Sequence, residues 1–228
     1  MRALKIVAEG VTTSFRYPHF VQGTQPTFEM PPPATIYGHV CSALGYFIAP
    51  DSLRFGYNFT WQAKFYDYEH THIFSPTESK LNPFRREMLY APRLTLYLDN
   101  PELHDAFVSP HYPVALGRSQ DLMTYTSVKV VELEQAEQAF FCDTLLALED
   151  ALWVGGHTYA VTMPRYVTPD RQISWGQYAV LTGSADYPGE DALVLEGSPA
   201  TSIWVDPEPD ARHPYRALQK GIIWHQWV

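Results

Sequence analysis

Few residues in this chain have the types and spacing that chemistry requires. His70-Thr71-His72 is its one close histidine pair. On a strand, residues i and i+2 share a face, so both imidazoles could meet one metal ion. No third ligand stands nearby, so the pair reads as surface histidines or contacts to a partner, and no metal site is expected. Lys80, Arg85 and Arg86, with Phe84 and Tyr90, form a basic and aromatic stretch. Such stretches suit single-stranded nucleic acid, where cations track phosphates and rings stack on bases; taken alone they also suit a solvated charged loop. In Leu116-Gly117-Arg118-Ser119 the glycine would let backbone amides approach an anion, and Arg118 and Ser119 could donate to phosphate. An ordinary turn is the alternative. The chain carries no Walker loop, dinucleotide fingerprint, HExxH or GxSxG, and no local triad signature, so no catalytic residue and no cofactor is expected.

The elements that must position these groups can be read from periodicity. Ala3 to Ala8, with Leu4 and Ile6 on one side, predicts a half-buried strand. Ser14 to Pro33 is rich in aromatics and prolines, which makes it stiff and extended. Helix follows. Ile36, Val40, Leu44 and Phe47 make one apolar face, with Thr35 or the last proline as its start. Gly38 and Gly45 cost helix propensity and suggest close approach to the sheet or a ligand. Tyr57 to Tyr66 reads as a second strand. Asp67 to Pro92 has no clean period and reads as an overlong, functional loop. Arg93 to Leu98 alternates strongly, and Asn100-Pro101 opens a short helix carrying Leu103 and Phe107. Beyond Pro113 the pattern is mainly β, with strands at Thr124 to Leu133, Thr158 to Met163, Gln177 to Leu181 and Ala192 to Leu195. The order suggests an α+β, ferredoxin-like domain with additions.

The 228 residues are 46% hydrophobic, enough for a real core. No run of about 18 apolar residues marks a membrane span, and Met1 to Gly10 is too short for a signal segment. Cys41 and Cys142 give neither a disulfide framework nor a zinc knuckle, which leaves the cytoplasm as the expected compartment. The net charge of −9 disfavours phosphate binding over the whole surface. The acidic excess lies late, in Glu132 to Asp150 and Asp186 to Asp210. Val11 to Leu98 is near neutral, with seven basic residues against six acidic ones.

Several of these blocks occur in an order that resembles one family. They are Ser14-Phe15-Arg16-Tyr17-Pro18 after the first strand, Pro31-Pro32-Pro33-Ala34-Thr35-Ile36-Tyr37-Gly38 leading to Ala43-Leu44-Gly45, and Asn82-Pro83-Phe84-Arg85-Arg86-Glu87. Tyr112-Pro113-Val114-Ala115-Leu116-Gly117-Arg118-Ser119 and Met163-Pro164-Arg165 follow. Together, from roughly Leu4 to Gly183, they resemble the CRISPR-associated Cas-five proteins, a branch of the repeat-associated RNA-binding superfamily. Ser184 to Val228 matches nothing that can be placed.

The resemblance implies a single RNA-binding domain over residues 1–228. It would be a modified RNA-recognition fold with a protruding β-hairpin thumb in residues 67–92 and extra C-terminal β elements. It implies a non-catalytic subunit of a type I surveillance complex (Cascade) that caps the 5′ handle of the crRNA. Its partners would be the handle, the backbone subunit, the large subunit and, indirectly, target DNA, in antiviral defence or RNA-guided DNA targeting. The RNA-binding residues implied are Arg16, Tyr17, Thr35, Tyr37, Lys80, Arg85, Arg86, Gly117, Arg118 and Ser119. One subtype of the family cleaves precursor RNA, so a metal-independent endonuclease using Tyr37, His39, His70, His72 or Lys80 is a second reading. A protein-binding scaffold of another assembly is a third.

Overall fold

The computed structural model describes residues 1–20, 23–76, 78–148, 159–181, 193–196, 203–208 and 218–228. The first part of the chain runs β1 (Arg2–Gly10), α1 (Pro33–Leu44), β2 (Phe55–Thr60), β3 (Ala63–Phe74), β4 (Ser79–Tyr90) and β5 (Arg93–Leu98). A 3-10 turn at Pro101–Leu103 then enters α2 (His104–Val108), and β6 (Met123–Glu132) follows. Four of these strands form one sheet in the order β6-β1-β5-β2, and every neighbouring pair is antiparallel.

The sequence predicts β1 as half-buried, but it is buried on both faces from Ala3 to Ala8. Leu4, Ile6 and Ala8 join Leu94, Leu96 and Leu98 of β5, Ile36 and Val40 of α1 and Phe107 of α2 in the main core. Each such leucine, isoleucine, valine or phenylalanine, fully buried, contributes about 1.5–3 kcal/mol. The reverse face is covered as well. Ala3, Tyr97 and Val131 pack with Ile222, and the Lys5 ammonium is buried on Asp206 Oδ2 at 2.6 Å and Glu208 Oε2 at 2.7 Å. Burial opposes the Asp206 charge, but bonds from Lys5, Tyr97 and the Glu208 amide hold its pKa below the usual carboxylate range. The covered reverse face leaves no open sheet surface there on which bases could stack.

Helix α1 starts at the prolines, not at Thr35. Pro32 caps it, and its carbonyl accepts from Thr35 N at 2.8 Å and Ile36 N at 3.2 Å. Pro33 supplies a ready-made helical φ where no N–H is needed. The helix ends at Leu44, short of the expected Phe47, which is exposed. Gly45 adopts φ +82° and returns its N–H to Cys41 O at 2.8 Å, a left-handed cap suited to glycine. A Cβ there would also meet the His111 ring at 2.5 Å. Gly38 faces open space, so it mediates no close approach.

The stretch that reads as an overlong loop is two long paired strands. β3 and β4 pair antiparallel from Ala63 opposite Tyr90 to Phe74 opposite Ser79. The hairpin begins at Ala63, and the strand expected over Tyr57 to Tyr66 is broken after Thr60. Nearly every residue of β3 is exposed, so no core face imposes an apolar alternation on it.

The later strands β7 (Thr144–Ala147), β8 (Tyr159–Val167) and β9 (Ile173–Leu181) form a second sheet in the order β7-β9-β8. Leu193–Glu196 pairs with Gln138–Phe141, and Ile203–Val205 with Glu134–Ala136. Expected strand ends at Thr158 and Ala192 lie outside the described residues. The C-terminal segment closes on β2. Phe55 and His225 exchange backbone bonds at 3.1 and 2.7 Å, and Trp227 is fully buried, stacked 4.4 Å from Phe55 and donating to Pro33 O at 2.8 Å. The result is a mixed α+β chain, mostly strands. Among the described residues no helix is long and apolar enough to cross a membrane.

Candidate nucleic-acid interface

Pairing fixes what each face of the hairpin presents. Side chains alternate along a strand, and directly opposed residues share a face. One face therefore carries Tyr66, Tyr68, His70, His72 and Phe74 in an unbroken row, with Arg85 opposite Tyr68 and Leu81 opposite His72. The row is open: Tyr68 is 67% exposed and Phe74 80%. Arg85 lies 4.2 Å over the Tyr66 ring, a cation–π contact that leaves its charge near the surface. The other face carries Phe65, Asp67, Glu69, Arg86 and Lys80. His70 and His72 do share a face, as strand geometry requires, but among the described residues no third metal ligand joins them.

The two adjacent arginines have different surroundings. Arg86 is only 9% exposed, and its Nε donates to Glu69 Oε1 at 2.8 Å. Its guanidinium lies 5.3 Å from the Phe84 ring. Arg85 is exposed and makes no ion pair among the described residues. Lys80, near the hairpin tip, is 73% exposed at its side chain and pairs loosely with Glu78 at 3.2 Å. Thr24–Gln25 pairs in parallel with Arg85 and Arg86, which ties the loop after Arg16 to the hairpin base.

The Leu-Gly-Arg-Ser turn is organised from within. Asp121, 2% exposed, accepts from the Arg118 amide at 3.0 Å and from the Arg118 guanidinium at 2.7 Å. The Arg118 amide that an anion would take is therefore already bound by a carboxylate. Arg118 also donates to Glu69 of the hairpin. Burial works against its charge, but Asp121 and Glu69 more than offset that and raise its pKa. Gly117 has φ +100°, and a Cβ there would meet Thr13 Oγ1 at 2.5 Å and Ser14 O at 2.8 Å. The space that a side chain at this glycine would need is taken by the chain's own Thr13 and Ser14. Ser119 is exposed.

The N-terminal candidates divide likewise. Arg16 is exposed on a short ladder opposite Thr27. Tyr17 stacks on Phe28 at 3.7 Å and meets His19 and Phe20 edge-on; burial, then Glu29 and Glu87, raises its pKa. Thr35 is half-buried in the first turn of α1. Tyr37 belongs to the core: it is 4% exposed, donates to Ile48 O at 2.6 Å and sets its ring edge against Trp227. That burial removes Tyr37 from any surface contact with RNA. His39 is also enclosed, with Nδ1 2.9 Å from Ala115 O and Nε2 3.0 Å from Tyr125 Oη. Burial lowers its pKa, so the neutral ring donates to Ala115 and accepts from Tyr125. Tyr37 and His39, two of the groups a nuclease reading would use, are structural parts of α1.

Sequence reading missed the ring row and the carboxylates Glu69 and Asp121. The signal for the row was present, because aromatic and imidazole residues recur at every second position from Tyr66 to Phe74.

No family model matches the chain, and no curated protein matches it. Solved structures do. A chain of a CRISPR RNA-guided surveillance complex matches with a TM-score of 0.54 at 14% identity, covering 83% of this chain and 95% of its own length. A CRISPR protein from Archaeoglobus fulgidus matches with a TM-score of 0.57 at 13% identity, over 99% of this chain and 100% of its own. A chain of the type III-B Cmr-beta complex bound to cognate target RNA and AMPPnP matches with a TM-score of 0.50 at 11% identity, over 85% and 86%. At these identities the likeness is one of fold. The structural neighbours are CRISPR proteins, among them subunits of RNA-guided complexes.

Proposed function

We propose that this chain is a Cas-five-like, non-catalytic subunit of a type I CRISPR surveillance complex, working in the cytoplasm and gripping the 5′ handle of the crRNA. The observation that carries this reading is the ring row on one face of β3 with Arg85 beside it. Exposed aromatic side chains next to a cation are the means by which proteins hold unpaired bases and their phosphates. The fold supports it. Taken by chain position, the four sheet strands lie in the order fourth-first-third-second, with helices after the first and third, an order we read as ferredoxin-like. The β3–β4 hairpin inserted between the second and third sheet strands would be the thumb. Likeness of fold to a surveillance-complex chain and to a CRISPR protein supports a role in RNA-guided work.

On this reading the ring row and Arg85 face RNA. Arg16, exposed on the strand that precedes the loop tied to the hairpin base, is a further cation for the handle, with Tyr17 next to it. Lys80 lies on the opposite hairpin face beside Glu78, and Thr35 and Ser119 are assigned to RNA only by the family resemblance. Arg86, Gly117 and Arg118 shape the base of the hairpin. The opposite hairpin face and the acidic later half are left for the backbone and large subunits, through which target DNA is reached indirectly.

The test incubates the chain with labelled precursor RNA, with and without EDTA, and measures retention and cleavage on the same gel. Retention of handle-bearing RNA without cuts is expected. Cuts at the repeat boundary would convert the reading to a nuclease. Partner capture without any RNA retention would convert it to a protein scaffold.

A further inference from the structure

The second sheet holds an unassigned cleft at its β8–β9 edge. The pairing of β8 with β9 slips between Pro164 and Tyr166, so Arg165 is the extra residue of a β-bulge. Bulges re-aim a side chain and recur beside functional sites. Arg165 lines a cavity of about 430 Å³, together with Thr162, Trp175, Gln177 and Tyr178. That volume suits a small ligand. Among the described residues Arg165 Nε is buried with no hydrogen-bond partner, and the guanidinium's bond there is a long one, from Nη2 to Trp175 O at 3.4 Å. Among the described residues no carboxylate pairs with it. This contrasts with Arg54, Arg86, Arg93 and Arg118, each of which has an acidic partner. A buried guanidinium donor left unmatched is costly unless an anion completes it. Trp175 is 43% exposed beside it. The space that a side chain at position 176 would need is occupied by the Tyr178 hydroxyl, 2.4 Å from where a Cβ would stand.

We infer that this cleft binds one nucleotide unit, its phosphate on Arg165 and Tyr178 and its base against Trp175. Arginine's planar fork fits phosphate, and an exposed indole beside it offers a stacking surface of no strong sequence preference. The site deepens the proposed RNA-binding function and rests on it for the source of the nucleotide. It is a second anchoring point, separate from the hairpin rings.

The test uses the full chain with two probes, a short fluorescent oligouridine and uridine monophosphate. Wild type is compared with Arg165→Gln and with Trp175→Leu; the second change is at an exposed ring and spares the core. Each substitution is expected to weaken oligouridine binding about tenfold, the loss of one charge-assisted contact or one stack. A photoreactive uridine in the oligomer should crosslink to the β9 peptide containing Trp175. Oligouridine binding unchanged in both variants, with native circular dichroism, overturns the cleft and leaves the RNA-binding function standing. Uridine monophosphate bound and lost in Arg165→Gln, with no oligouridine binding, keeps the cleft and removes that function. Neither probe bound removes both.

Discussion

Arg86 and Arg118 donate to the same atom, Glu69 Oε1, one from the facing strand of the hairpin and the other from the loop after α2. A single carboxylate thus joins the hairpin base to the Gly117 turn, and Asp121 closes the chain of contacts on the far side of Arg118.

Removing either arginine should therefore do more than delete a charge. Arg86→Ala and Arg118→Ala should each cost roughly 1–3 kcal/mol, as expected for losing a charged hydrogen bond at a half-buried carboxylate. In urea unfolding of the single and double variants, the two losses should be non-additive by at least about 0.5 kcal/mol, because the pair shares Glu69. Strict additivity would show that the shared carboxylate does not couple them.

The adjacent Arg85 should behave oppositely. Arg85→Ala should cost no more than about 1 kcal/mol of stability, the value of an exposed cation–π contact. It should lower the magnitude of the log-affinity against log-salt slope for handle RNA by about 0.7, one single-strand phosphate contact. Arg86→Ala should leave the slope alone. An unchanged slope for Arg85→Ala would mean that its charge meets no phosphate.

Gly117→Ala should unfold the chain more easily, whereas Ser119→Ala should be neutral. The left-handed backbone alone costs a non-glycine residue about 1–2 kcal/mol, and the added Cβ would collide with Thr13 and Ser14. A denaturation midpoint equal to wild type would contradict the backbone conformation described.

Acid should loosen the C-terminal segment. Burial lowers the His225 pKa to about 4, below the ordinary imidazole value of about 6.5. The unfolded chain therefore takes up a proton that the folded chain excludes. Stability is retained above about pH 6.5 and falls as the pH drops through the window toward 4, by up to about 3 kcal/mol in the limit. His39, also lowered by burial, acts in the same direction. Urea unfolding at pH 7 and pH 5 should show the loss, and His225→Phe should reduce it. A pH-independent difference between the two proteins would refute the assignment to His225.

The legible parts of this fold were those with one buried face or a steric rule. β5 alternates Leu94, Leu96 and Leu98 toward the core, and the proline run starts α1, so both could be read directly. The hairpin could not be read from hydropathy, because β3 and the outer part of β4 meet solvent on both faces and no apolar alternation is imposed there. Its information lies instead in ring chemistry at every second residue. The covering of the reverse sheet face was hidden for a different reason. Lys5 finds Asp206, and Trp227 finds Pro33, across almost the whole chain, and no local pattern encodes such pairings. Tyr37 and Gly117 stood in blocks that resembled a binding family, yet the first is buried in the core and the second is fixed by backbone geometry.

The central claim is that the ring row holds unpaired RNA. Its most direct test is handle-RNA affinity of the Tyr68→Ala/Phe74→Ala double variant, with circular dichroism as the folding control. Both rings are exposed, so the fold should be untouched. Each base stack contributes about 1–3 kcal/mol, so affinity should fall roughly tenfold or more. Affinity equal to wild type in the folded double variant would contradict the claim.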